Sequence, residues 1–280
     1  MNLFKKKKKN TKEVSQEEKE IYAILNQDTP FSVKENYKAL RTNIIFSLKD
    51  SEKCKIVNIA SANPSEGKTT TSINLAITFA ETSSRVLLID CDLRKPKIHR
   101  YANFENKAGL SNVLCGFSKL SEVIKHTEFG FDVITSGHIP PNPSELLASK
   151  EMENCLDELR KIYDFIFLDC PPINVVTDSL SVSSFCDGTI FVVKPFSTTK
   201  SSLAAAIAKY RFANQPIIGF IVNAVESKQS SYYKHNKYYT RGKHYYNYYN
   251  YSYRTYASYY NTDGSKGHRK SHSKTKKEDK

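Results

Sequence analysis

The chain has no tryptophan, only two methionines and no Cys-x-x-Cys pair. It also lacks any apolar run near the roughly 18–20 residues that a bilayer-spanning helix needs. Its basic N-terminus has no apolar segment of the kind that drives secretion. The expectation is a chain that is neither secreted nor membrane-spanning by itself. The six cysteines, Cys54, Cys91, Cys115, Cys155, Cys170 and Cys186, are scattered, several of them inside expected strands or helices. That spacing suits reduced cytosolic thiols and excludes a zinc site or a disulfide framework.

Positive charge is scarce where a core should be. Of the net +13, residues 1–12 hold +6 from six lysines and residues 228–280 hold +10, which leaves residues 13–227 at −3. A mildly acidic centre speaks against a nucleic-acid-binding core. Basic ends suit an anionic membrane face or an acidic partner, or they serve only as disordered, solubilising tails. We divide the 280 residues into a disordered basic arm at 1–14, a folded domain at 15–226 and a disordered Tyr-rich basic tail at 227–280.

Within the central part, short apolar runs alternate with helical periodicity. Strands are expected at 55–60, 85–90, 131–135, 165–169, 189–193 and 217–223. Helices are expected at 15–27, from Ser32 to Leu48, after Lys68, at 144–163 and at 198–212. Ser32 and Glu35 have capping-box spacing. Runs that are apolar throughout fit a parallel sheet covered on both faces, so the fold class is α/β, a doubly wound, mainly parallel sheet with helices on both faces.

Three strand ends carry the chemistry. After the first strand come Ala62, Asn63, Pro64, Ser65, Glu66, Gly67, Lys68, Thr69 and Thr70. This is a phosphate loop of the P-loop NTPase type, with Ala62 where a glycine is usual. Backbone N–H groups there and at the helix start can cradle phosphate oxygens. Lys68 reaches toward the β- and γ-phosphates, and the Thr69 hydroxyl is suited to Mg2+. The second strand end is Leu88-Ile89-Asp90-Cys91-Asp92. In extended backbone, Asp90 and Asp92 point to one side. One of them can hold the metal while the other takes a proton, or the pair simply caps a turn. The third is Ile166-Phe167-Leu168-Asp169, whose terminal carboxylate suits Mg2+.

With these motifs in order, and with Gly109-Leu110-Ser111-Asn112 and Pro141-Asn142-Pro143-Ser144-Glu145 between them, the chain resembles the bacterial protein-tyrosine kinases of capsule and exopolysaccharide systems. The resemblance spans about residues 30–260. It implies an ATP- and Mg2+-dependent kinase with Lys68, Asp90, Asp92 and Asp169 as catalytic residues. Thr69, Asp92 and Asp169 would hold the metal, Asp90 would be the base for the tyrosine hydroxyl, and Asn223 would contact adenine. It also implies a homo-oligomeric ring built through a helix motif matched here by Glu35, Lys38 and Arg41, with Lys38 where the family has arginine. The implied partner is a transmembrane activator of the polysaccharide co-polymerase kind, which would complete the site and hold the chain at the inner face of the membrane. Other protein substrates fit the same picture.

The tail carries thirteen tyrosines between positions 232 and 260: Tyr232, Tyr233, Tyr238, Tyr239, Tyr245, Tyr246, Tyr248, Tyr249, Tyr251, Tyr253, Tyr256, Tyr259 and Tyr260. A flexible tethered segment can reach a neighbour's active site at high effective concentration. Each phosphate adds about −1.5 to −2 charge, so about six would offset the tail's +10 and loosen subunit contacts. Aromatics interleaved with basic residues also suit single-stranded nucleic acid, a reading that the three strand-end motifs displace. Two other readings remain. One is an ATP-gated scaffold of the polysaccharide machinery. The other is a partitioning or division-site ATPase, many of which carry a lysine where this chain has Asn63.

Overall fold

Among the described residues seven strands, most of them apolar, pair into a single sheet, and the connections between them supply both helical layers. The computed structural model describes residues 23–48 and 54–225. The arm at 1–14 and the tail with its thirteen tyrosines lie outside the described residues.

The elements run α1 (Phe31–Ser47), β1 (Lys55–Ser61), α2 (Lys68–Ala80), β2 (Val86–Asp90), α3 (Ile98–Tyr101), α4 (Leu110–Leu114), α5 (Leu120–Val123), β3 (Ile124–His126), β4 (Asp132–Ile134), α6 (Pro143–Leu147), α7 (Lys150–Leu159), β5 (Phe165–Asp169), α8 (Asp178–Ser183), β6 (Gly188–Val193), α9 (Lys200–Phe212) and β7 (Ile217–Val222). The strand order is β3-β4-β2-β5-β1-β6-β7. Neighbours pair in parallel, except β3 against β4.

The continuous apolar runs are explained by burial on both faces. Val57 and Ile59 of β1 pack toward α2 with Ile73, Phe79 and Phe167. On the opposite face Ile56 packs with Leu87, Ile166, Met152 and Leu156 of β2, β5 and α7. Farther along that strand, Ala60 meets Phe191, Ala206 and Tyr210. The Phe79 ring lies 4.5 Å from that of Phe165 and 5.1 Å from that of Phe167, bonding α2 to β5. Because every inter-strand pair but one is parallel, the carboxyl ends of β1, β2, β5, β6 and β7 share one edge, where ligands gather in such sheets.

Several local expectations are corrected. Residues 23–27 form turns rather than the end of a helix; Leu25 N–H donates to Asn74 Oδ1 at 2.8 Å and Asn74 Nδ2 to Ala23 O at 3.0 Å. The helix expected from Ser32 starts at Phe31 behind Pro30, without a side-chain cap. The extended Pro30 supplies its carbonyl to Val33 and Lys34, which leaves Ser32 inside the first turn. The helix expected over 144–163 is two helices. The first ends at Leu147, capped by Ala148, and Ser149 caps the second, accepting from Met152 N–H at 3.3 Å. The three-residue edge strand β3 was not expected, being too short to leave a periodic signal.

All six cysteines are free. Among the described residues, no helix is long and apolar enough to cross a membrane.

Candidate functional site

The phosphate loop joins β1 to α2 and is held by polar contacts from two other loops. Gly67 has φ +89°, and a Cβ there would stand 1.9 Å from Asn223 Nδ2, so only glycine fits. Asn223, at the exit of β7, donates from Nδ2 to the Glu66 carbonyl at 3.0 Å. The Glu66 side chain is fully buried. It accepts from Asn63 N–H at 3.0 Å, from Asn63 Nδ2 at 3.2 Å and from the Thr198 hydroxyl. Asn63 Nδ2 also donates to Ser202 Oγ on α9 at 2.8 Å. Glu66 therefore pins the loop through a carboxylate that is closed to solvent. Ala62 is buried and has no positive φ, so its methyl packs beside Ile173 and Phe191, and the usual glycine is not needed there. Pro64 and Ser65 are exposed at the loop's crest, and Thr70 follows in the first turn of α2.

The acidic residues converge on the same edge. Asp90 and Asp169 are register partners on β2 and β5, and Ile59 of β1 is the partner of Asp169 on its other side. Adjacent strands lie about 4.8 Å apart, so these groups are immediate neighbours. Asp169 accepts from Ser72 Oγ at 3.3 Å. Burial pushes its carboxyl up to about 6, while the Lys68 ammonium and hydrogen bonds from Thr69 and Ser72 pull it down. Lys68 is itself nearly buried.

Asp90 is fully buried, and burial together with Asp169 and Asp92 holds its carboxyl well above the usual range. Its oxygens accept backbone N–H groups from Asp92 at 3.2 Å and from Lys97 and Ile98 at 3.1 Å each. Asp90 thus organises the loop that carries Asp92. Asp92 is half-buried, and its Oδ1 accepts from Lys95 N–H at 3.0 Å.

A second fastening, not expected from the sequence, lies beyond Asp92. Arg94 grips Asp178, at the start of α8, with Nε at 2.8 Å and Nη2 at 3.2 Å, and its Nη2 also reaches Ser144 Oγ at 3.1 Å. Ser144 Oγ donates to Asp178 Oδ1 at 2.5 Å. This triad ties the loop after β2 to α6 and α8. Ser144 lies in the Pro141-to-Glu145 motif and Arg94 two residues beyond Asp92, which was the only signal available.

Glu35, Lys38 and Arg41 stand apart from this cluster. Glu35 pairs with Lys38 at 2.8 Å along α1, while Arg41 donates to the Thr78 carbonyl of α2 and lies 3.9 Å from Glu81.

Among the described residues, no three His, Cys, Asp or Glu side chains form a metal cluster by themselves. Magnesium does not need one, because it takes one or two carboxylates and completes its shell with phosphate oxygens and water. A buried carboxylate bonded to Ser72 of the helix that begins with Lys68 and Thr69, next to a loop that only glycine can build, fits that requirement.

A family model described as an AAA domain matches residues 54–209. The tyrosine-protein kinase YwqD of Bacillus subtilis is 41% identical over 200 residues, which cover 71% of this chain and 84% of that protein. The tyrosine-protein kinase ptk of Acinetobacter johnsonii is 32% identical over 83% of this chain, which spans only 30% of that longer relative. Among solved structures, the kinase domain of the Escherichia coli tyrosine kinase ETK superposes with a TM-score of 0.70 at 34% identity, over 77% of this chain and 84% of that one. The chimerical protein CapA2B2 gives 0.67 at 32%, over 73% and 89%. The Pyrococcus horikoshii septum site-determining protein MinD, complexed with Mg-ADP, is more distant, with a TM-score of 0.51 at 25% identity over 60% and 70%.

Proposed function

The chain belongs to the bacterial tyrosine-protein kinases, and from that membership we propose that it transfers the γ-phosphoryl group of Mg-ATP to the tyrosines of its own C-terminal tract. The observation that carries the reading is the convergence on Asp169 of the first turn of α2, which carries Lys68 and Thr69 and reaches it through Ser72, and of Asp169 with Asp90 one strand away. Magnesium, when bound, would offset the negative charge that builds during transfer. The Thr69 hydroxyl and Asp169 carboxylate would hold it. Lys68, nearly buried, would steady the β- and γ-phosphates.

Between the two carboxylates of the second motif, the hydrogen bonding favours Asp92 as the acceptor of the tyrosine proton. Both Asp90 oxygens already accept backbone N–H groups, and Asp90 is closed to solvent. A general base must come within hydrogen-bond reach of the proton it removes. Asp90 would keep the loop in shape and position Asp92.

In this reading the kinase regulates capsular or exopolysaccharide synthesis and export. It acts at the inner membrane face, beside a transmembrane activator whose cytoplasmic tail completes the site. Similarity to the CapA2B2 chimera supports such pairing. Ring assembly through α1 would require Glu35, Lys38 and Arg41 to trade their present own-chain contacts for a neighbour's.

The test is incubation of the full chain with Mg-ATP and the activator's cytoplasmic segment, followed by mass spectrometry of residues 227–280. Phosphotyrosine on the tract, lost in Lys68→Met, is the expected result. ATP binding without any phosphotyrosine would leave a nucleotide-gated scaffold in its place.

A further inference from the structure

The proposed reaction leaves the nucleoside end of ATP with only Asn223, whose amide is already partly engaged within the chain. Its Nδ2 donates to the Glu66 carbonyl at 3.0 Å and its Oδ1 accepts from Ala224 N–H at 2.8 Å. Another group on the same side is open. Lys194, Pro195, Phe196 and Ser197 form a β-turn at the exit of β6, closed by Ser197 N–H to the Lys194 carbonyl at 3.2 Å. Phe196 occupies its third position with φ +64°. Turns with proline second and a positive φ third normally place glycine or asparagine there, because a bulky side chain crowds the backbone. The ring gains nothing by burial in exchange, since Phe196 is fully exposed at 109%. Strained, solvent-facing residues of this kind gather at ligand sites.

The turn is also fixed to the phosphate loop. Lys194 N–H donates to Thr198 Oγ1 at 2.9 Å, and that hydroxyl donates to the buried Glu66 carboxylate. Sheet order then gives the direction. The acids that would face the γ-phosphate end β5 and β2, on one side of β1, whereas β6 and β7 lie on the other side. A triphosphate drawn across the start of α2 with its γ end toward Asp169 carries its nucleoside over the β6 and β7 exits.

We propose that Phe196 is the stacking platform for the purine base of the bound nucleotide, an inference that rests on the reading of the phosphate loop and acids as the Mg-ATP site. A single exposed ring anchored to the phosphate loop suits a planar ligand. Stacking would also explain how an apolar side chain persists in a strained, wet turn.

The experiment is calorimetric titration of the full chain, in Mg2+, with ATP and with inorganic tripolyphosphate, for wild type and for Phe196→Ala, Phe196→Gly and Phe196→Trp. Removing the ring weakens ATP about 10-fold, as loss of an aromatic stacking partner does elsewhere. Tripolyphosphate affinity stays unchanged, and tryptophan retains ATP affinity. Glycine, which accepts the positive φ, loses ATP affinity as alanine does while keeping the wild-type Tm. Unchanged ATP affinity in the alanine variant overturns the proposal. So does an equal loss for both ligands, which would mean the turn merely supports Glu66. If the wild-type chain binds neither ligand, or Lys68→Met binds both normally, the phosphate-site reading fails first and the base platform falls with it.

Discussion

Replacing Gly67 by alanine tests the phosphate loop at its tightest point. The new Cβ would lie 1.9 Å from Asn223 Nδ2 and 3.1 Å from its Cγ, and φ there is +89°. Two costs follow. Holding an L-residue in left-handed backbone costs about 1–2 kcal/mol. Moving the Asn223 amide aside breaks its bond to the Glu66 carbonyl, worth about 1 kcal/mol. The total is about 2–3 kcal/mol. For a domain of this size that corresponds to a Tm lower by about 4–12 °C. Asn223→Ala alone loses the hydrogen bond, about 1 kcal/mol. In the double variant the bond can be lost only once, so its cost falls short of the sum of the singles by about 1 kcal/mol. Urea unfolding of the four chains, without nucleotide, measures this coupling. Additive costs would refute the reasoning, since they would mean that Asn223 and Gly67 are not in contact.

Three further outcomes are expected. Asp169, held near 6 against 3.8 for a free carboxyl, binds its proton more tightly folded than unfolded. Nucleotide-free stability should therefore fall as pH rises from about 4 to 6, by up to roughly 3 kcal/mol from this group, and Asp169→Asn should flatten that slope in urea titrations across the window. Arg94→Ala leaves the fully buried Asp178 with only Ser144 as a side-chain partner; since Arg94 itself is 40% exposed, about 2 kcal/mol is expected in urea unfolding, with Arg94→Lys milder because one ammonium cannot reproduce the guanidinium fork. Asp92→Asn should abolish tyrosine phosphorylation while keeping ATP affinity within about threefold, a tolerance of about 0.7 kcal/mol, whereas Asp90→Asn should also disturb residues 92–98, seen as faster amide exchange at Lys97 and Ile98. Wild-type phosphorylation in Asp92→Asn would return the proton-accepting role to Asp90.

The sheet was legible because its code is local. Apolar runs such as Val86–Asp90 and Phe165–Asp169 are buried on both faces in the sheet, so each advertises itself as a strand and ends in the carboxylate that matters. The glycine-lysine-threonine turn is equally local. What was missed has weaker or distant signals. The edge strand β3 has three residues, and only Ala148 and Ser149 divide two helices within a stretch that reads as one. Pro30 displaced the expected Ser32 cap because an extended residue before a helix leaves its carbonyl free for the first turn.

The polar fastenings of the site were illegible for a different reason. Thr198 meets Glu66 across 132 residues, Asn223 meets it across 157, and Arg94 meets Asp178 across 84. No periodicity connects such pairs, and each residue alone reads as an ordinary loop polar group. The same limit governs Asp90. Its position at a strand end marks a carboxylate near the phosphates, but a side chain's usefulness as a base depends on what its oxygens already accept. Three backbone N–H groups answer that, and they come from a loop whose conformation the motif itself creates. In this chain the motif therefore specifies where charge gathers, while short-range backbone hydrogen bonds close Asp90 and leave Asp92 the more open of the two carboxylates.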